Sequence, residues 1–150
     1  LVTPMRIIIS GEVSFLFLSA DCDTFGGEKM IKIGLAATND AAGLDNKNVS
    51  AFIELAQKND CEVIKGESAF FEPEEAKRVA NGLKDCDLIV VTVKGFTWFG
   101  ECINEFTKLG VPVCCWAVPE PKKEGVLLFN SMTGLNLFTS VANSGAKYPP

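Results

Sequence analysis

The run Leu88-Ile-Val-Val-Thr-Val93 is apolar throughout except for its threonine. A strand with one wet face alternates apolar and polar residues. A near-continuous apolar run reads instead as a strand covered on both faces by helices, which places it at the centre of a parallel sheet. The flanking segments supply such helices. Asn46-Lys-Asn-Val49 opens a helix whose Val49, Phe52, Ile53 and Ala56 share one face, the i, i+3, i+4, i+7 spacing of an amphipathic helix. Pro73 at a first helical position, with Glu72, Glu74 and Glu75 around it, starts a second helix near the positive end of its dipole. That helix turns Ala76, Val79, Ala80 and Leu83 inward and ends near Asp85. Cys102, Ile103, Phe106 and Leu109 make a third apolar stripe, closed by Gly110 as the residue past its C-terminus.

Between these helices, Ile31–Ala36, Cys61–Ile64 and Val111–Cys115 read as further strands, and Glu124–Phe129 as a short fifth. A last helix carries Leu135, Phe138, Val141 and Ala142 as its stripe. Strands alternating with helices of this length require parallel crossovers. The expected fold is α/β, a three-layer open sheet, mostly parallel, of the flavodoxin or Rossmann doubly wound kind.

The 150 residues, 47% of them hydrophobic, suffice for one domain with a real core. Fourteen basic against nineteen acidic side chains leave a net charge of -5 with no basic cluster, which opposes binding to a phosphate backbone. Nucleic acid is excluded as an expected partner. The six cysteines (22, 61, 86, 102, 114 and 115) form no C-x-x-C pair, and several lie in apolar runs where a thiol acts as a small hydrophobe. That usage fits a reducing cytoplasm. There is no histidine, so the residue best suited to proton transfer near neutrality, and the commonest metal ligand, is missing. No apolar stretch reaches the roughly 20 residues that span a bilayer.

Residues 1–29 stand apart. Met5–Ile9 and Val13–Leu18 are apolar runs split by Ser10-Gly11-Glu12, which interrupts the continuous apolar segment of a signal peptide. Met30 reads as the natural start, with residues 1–29 as upstream read-through and residues 30–150 as the α/β domain. The other reading of the extension is an edge hairpin around a Gly-containing turn.

In open α/β sheets ligands bind beyond the strand C-termini, so the loops there hold the candidate residues. Ala37-Thr-Asn-Asp40-Ala-Ala-Gly43 lacks both phosphate-cradling glycine spacings and reads as a polar turn. Lys94-Gly95 follows the central strand where a phosphoacceptor Asp would stand, which removes a response-regulator reading. Gly95-Phe-Thr-Trp98-Phe-Gly100-Glu101 brackets an aromatic cluster with two glycines, a loop too short to bury all three rings. An exposed ring there suits stacking on the C–H face of a sugar. Trp116-Ala-Val-Pro119-Glu120-Pro121 stiffens a second loop around one carboxylate, which can accept hydrogen bonds from hydroxyls. The candidate substrate-binding residues are therefore Trp98, Glu101, Trp116 and Glu120, with no catalytic or metal-binding residue assigned. Asn130-Ser-Met-Thr-Gly134 reads first as ordinary helix capping.

Lys32–Ala36, then Phe96-Thr-Trp-Phe-Gly-Glu101, then Val111–Pro121 with its W-A-x-P-E-P segment, then Asn130–Asn136 with S-x-x-G-x-N, together resemble the N-terminal part of L-fucose isomerase-like proteins, the fucose and arabinose isomerase superfamily. The likeness covers about residues 30 to 148. It implies a domain of a cytoplasmic, homo-oligomeric sugar isomerase that interconverts aldose and ketose. It also implies a divalent metal, typically Mn2+, held by Glu, Asp and His in later domains. Trp98 is implied as the aromatic that helps close a sugar site across subunits, with Glu101 and Trp116 as neighbours. On that resemblance this chain is part of an intramolecular oxidoreductase, contributing substrate contacts and assembly but no complete active site. The alternative is a stand-alone carbohydrate-binding or protein-interaction domain, and a flavin-binding domain is a third reading.

Overall fold

A computed structural model describes residues 6–10, 13–17, 30–39, 44–94, 101–117 and 131–147. In chain order the elements are β1 (Arg6–Ser10), β2 (Val13–Phe17), β3 (Ile31–Ala37), α1 (Lys47–Lys58), β4 (Cys61–Lys65), α2 (Pro73–Gly82), β5 (Leu88–Val93), α3 (Cys102–Thr107), β6 (Val113–Ala117) and α4 (Ser131–Lys147). They build one sheet in the order β1-β2-β6-β5-β3-β4. The last four of these are mutually parallel. The α/β class and the parallel sheet are as the sequence pattern requires, and β5 lies inside it as its apolar run demands. The expected strand at Glu124–Phe129 falls outside the described residues.

The edge hairpin is present. β1 and β2 pair antiparallel from Arg6↔Phe17 to Ser10↔Val13, and β2 joins the sheet through Ser14↔Ala117 and Leu16↔Cys115 of β6. The sheet is thus mixed, with an antiparallel ribbon on the β6 side.

Pleating sends alternate residues to opposite faces, and the core divides accordingly. Ile33, Leu35 and Ala37 of β3, Val90 of β5, and Cys114 and Trp116 of β6 cluster with Val49, Phe52, Ile53 and Ala56 of α1. On the other face Ile89, Val91 and Val93 join Val113, Cys115 and Ala117, covered by Ala76, Val79 and Ala80 of α2, Cys102, Ile103 and Phe106 of α3, and Leu135 and Phe138 of α4. The helical stripes read from spacing are the ones packed against the sheet, with Phe52, Ile53, Leu109, Val141 and Ala142 partly buried.

Local chemistry fixes the helix ends. Asn46 Oδ1 accepts from the Asn48 and Val49 backbone N–H groups at 3.0 Å each, capping two of the donors that α1 leaves unpaired. Glu75 Oε2 accepts from Phe71 N–H at 2.8 Å and Glu72 N–H at 3.2 Å, tying the chain ahead of Pro73 to the first turn of α2. Gly110 follows α3 at φ +72, the left-handed position for which the glycine was expected. At the amino end of the sheet, Lys32 N–H donates to Asp87 Oδ2 at 2.9 Å and Asp87 N–H donates to Lys32 O at 2.8 Å. This reciprocal clasp pins β5 to β3 in register.

The five described cysteines are free thiols, and all but Cys61 are buried. Burial pushes the Cys115 and Cys86 thiols up in pKa, which keeps them protonated and packing as apolar groups. Among the described residues no helix is long and apolar enough to cross a membrane.

Candidate functional site

Strand β3 is followed by β4 on one side and then by β5 on the other. That reversal of winding makes the carboxyl ends of β3 and β5 the topological switch point, where an open α/β sheet carries its ligand crevice. The strand order among the four parallel strands is the flavodoxin-like one.

The floor of the crevice is a closely hydrogen-bonded junction. Beyond Ala37 the chain stays paired: Thr38 N–H donates to Thr92 O at 3.0 Å, and the Thr38 hydroxyl oxygen accepts from Lys94 N–H at 2.9 Å. The Thr92 hydroxyl donates to Ala36 O at 3.2 Å. Both threonines are buried, and these bonds offset the cost of taking their hydroxyls out of water. After β4 the chain bulges outward and rejoins β3 at Phe70, whose N–H donates to Ala37 O at 3.0 Å and whose carbonyl accepts from Asn39 N–H at 2.9 Å. Asn39 has φ +66, a left-handed conformation that asparagine tolerates better than most residues. Its side-chain Nδ2 donates to Lys94 O.

The rim comes from the next loops. Phe70 is buried against Phe106 of α3, ring centroids 5.2 Å apart, while its neighbour Phe71 is 41% exposed. The Phe71 carbonyl accepts a long bond, 3.7 Å, from Cys102 Sγ, which ties this segment to the start of α3. Glu101, just ahead of α3, is exposed, and its carbonyl accepts from Asn104 N–H at 2.9 Å. The Cys102 thiol is pushed up to about 11, first by burial and then by the negative charge of Glu101. It is therefore a packing group and not a nucleophile at neutral pH.

The four candidate residues part company here. Glu101 is exposed, one residue ahead of α3. Trp98 and Glu120 lie outside the described residues. Trp116 is a correction: it belongs to β6 and is 1% exposed, packed under α1 with its ring centroid 5.6 Å from that of Phe52. It is paired with Thr92 in the β5–β6 ladder, so its indole shares the core face with Val90 and Cys114. The physical reason is that β6 runs on to Ala117. The apolar alternation continues through Trp116 instead of stopping at Cys115, and an indole placed there buries its area against α1.

Two features of the crevice were not singled out from sequence. Asn39 read only as one polar residue of a turn. The Phe70-Phe71 pair went unread, although two adjacent aromatics just before the Glu72-Pro73 helix start mark a strand-to-helix edge. Chemically the edge offers the Asn39 amide, the cation Lys94, the carboxylate Glu101 and the exposed ring of Phe71, while the threonine hydroxyls are buried and hydrogen-bonded within the protein. Among the described residues no three His, Cys, Asp or Glu side chains converge as a metal site. Comparison of the chain with protein-family models, with curated proteins and with solved structures finds no match.

Proposed function

We propose that this chain is the N-terminal, sugar-contacting and assembly domain of an L-fucose isomerase-like protein, contributing to an aldose–ketose isomerase without holding a complete active site. The observation that supports the reading is where the segments carrying the resemblance fall. Lys32–Ala36 lies in β3, Val113–Ala117 is β6, Ser131–Asn136 opens α4, and the Phe96–Glu101 segment ends at the start of α3. β3 and β6 run toward the carboxyl edge of the parallel strands, the edge on which such a sheet carries its ligand.

In this reading the residues of the edge bind and orient an open-chain sugar while other domains move the proton between C1 and C2. The divalent metal implied by the resemblance polarises the sugar oxygens when bound. In this reading its ligands lie in later domains, as the resemblance implies; among the described residues no three His, Cys, Asp or Glu side chains form a ligand set. The contribution here is an apolar ring against the C–H face of the sugar and hydrogen-bonding groups that fix its hydroxyls.

Trp98→Ala in the intact protein tests the reading. Loss of one ring contact, about 0.5–1.5 kcal/mol, weakens L-fucose or L-arabinose affinity roughly two- to tenfold, with little change in melting temperature. Normal affinity combined with a large loss of stability places Trp98 in the core and refutes the reading. Sugar binding by the intact protein without isomerisation supports the carbohydrate-binding module in its place.

A further inference from the structure

We propose that Asn39 is the floor of a subsite for a neutral hydroxyl donor at the β3–β5 junction, its side-chain Oδ1 accepting a hydrogen bond from the ligand. The inference rests on the sugar-facing reading of this edge and adds the residue that orients the sugar there. Among the described residues, Asn39 Oδ1 is buried and has no hydrogen-bond partner, and buried acceptors left in that condition are rare in folded proteins.

The side chain cannot relieve itself by turning over. Its Nδ2 donates to Lys94 O, and rotating the amide by half a turn would set one carbonyl oxygen against another. The backbone is equally committed, with N–H bonded to Phe70 O at 2.9 Å and φ held at +66. A non-glycine residue kept in the left-handed region, with one acceptor fixed in place and unsatisfied, is the kind of local strain that collects at ligand sites. Ser68 Oγ is also buried without a partner among the described residues. It differs on two counts: a hydroxyl rotates to suit its surroundings, and Ser68 precedes Phe70 on the bulge, off the switch point.

The ligand chemistry follows from what converges. An acceptor oxygen takes O–H or N–H, and it repels a phosphate or carboxylate oxygen. Asn39 gives its backbone N–H and one Nδ2 hydrogen to the protein, which leaves a single amide N–H with which to hold an anion. Lys94 follows β5 and Glu101 precedes α3, opposite charges that favour neither an anionic nor a cationic ligand. Phe71, 41% exposed on the rim, supplies an apolar surface for C–H groups. A neutral polyol or sugar matches all three.

Calorimetric titration of the intact protein with L-fucose, L-arabinose, the alditol L-arabinitol and inorganic phosphate tests the subsite. Wild type binds at least one polyol and does not bind phosphate. Asn39→Gly keeps a residue at ease at φ +66 and weakens polyol binding about tenfold or more, because a site built around one hydroxyl loses its anchor. Ser68→Ala leaves affinity within about twofold. The wild-type Asn39 side-chain amide resonance shifts on adding the bound polyol, a readout that needs no variant. Asn39→Gly binding as well as wild type overturns the subsite and leaves the sugar-facing edge standing. Equal losses in Asn39→Gly and Ser68→Ala reduce the effect to local packing and overturn it too. No binding of any polyol overturns the subsite and the reading beneath it together, and binding of phosphate alone overturns the neutral chemistry.

Discussion

Replacing Trp116 by alanine removes the largest fully buried side chain among the described residues, and the size of the loss can be worked from its surroundings. An indole buries roughly 150–250 Å2. At about 25 cal/mol per Å2 that area corresponds to about 4–6 kcal/mol, and since alanine keeps the Cβ and the walls relax in part, about 3–5 kcal/mol should be lost. The tilted contact with Phe52, 5.6 Å between centroids and 55° between planes, contributes about 0.5–1.5 kcal/mol of this as a pairwise coupling. A domain holds about 5–15 kcal/mol in all, so the variant folds marginally, with a midpoint lower by roughly 6–20 °C. Far-ultraviolet circular dichroism during heating and urea titration measures the loss. In a Trp98→Phe background, where Trp116 is the sole indole, emission should be blue-shifted and shielded from quencher until the chain unfolds. If Trp116→Ala costs less than about 1 kcal/mol and weakens sugar binding instead, the placement of β6 under α1 is wrong and the indole is a ligand contact.

Two further outcomes follow from the same packing. A Cβ added at Gly66 would stand 2.9 Å from Val79 Cγ1 and 3.4 Å from Leu35 O, so Gly66→Ala should cost about 1–3 kcal/mol in urea unfolding. The penalty should shrink by at least about 0.5 kcal/mol in a Val79→Ala background; strict additivity refutes the contact. Glu75 is held below its ordinary value of 4.5, chiefly by the Phe71 backbone N–H and then by that of Glu72. A depressed folded pKa stabilises above the unfolded value and loses that support as pH falls through the folded one. Urea midpoints taken from about pH 6 to pH 3 should therefore drop less steeply for Glu75→Gln than for wild type, and equal slopes would show the capping bonds to be absent.

The helical half of this fold could be read from spacing because each helix buries one stripe. Val49, Phe52, Ile53 and Ala56 of α1, and Ala76, Val79, Ala80 and Leu83 around α2, recur with the helical period and nothing in their neighbourhood competes with it. Asn46, Pro73 and Gly110 marked their helix ends because each residue type solves one backbone problem: an orphan N–H, a missing donor, a positive φ. The strands gave less away. A strand buried on both faces has no polar alternation to show where it ends, so β6 seemed to stop at Cys115 when it runs through Trp116 to Ala117. The indole then looked like a loop residue. The correct signal was present in the register, since Trp116 continues the row of Cys114 on one face while Ala117 continues that of Cys115 on the other. Asn39 and Phe71 could not be found by period at all. Their significance depends on the bulged return of Phe70 to β3, a tertiary contact between segments that no local window contains.

The antiparallel ribbon has a consequence for how the molecule is completed. Ser14 lies against Ala117, so β1 and β2, made ahead of the parallel strands, must wait for β6 before they have a neighbour to join. Everything between, from β3 through α3, can settle from contacts much closer in sequence. Closure of so long a loop is intrinsically slow, and until it happens the ribbon is a bare pair of strands of marginal stability. Synthesis halted short of residue 117 would leave it without its docking edge, a state open to attack by proteases or to pairing with the wrong chain.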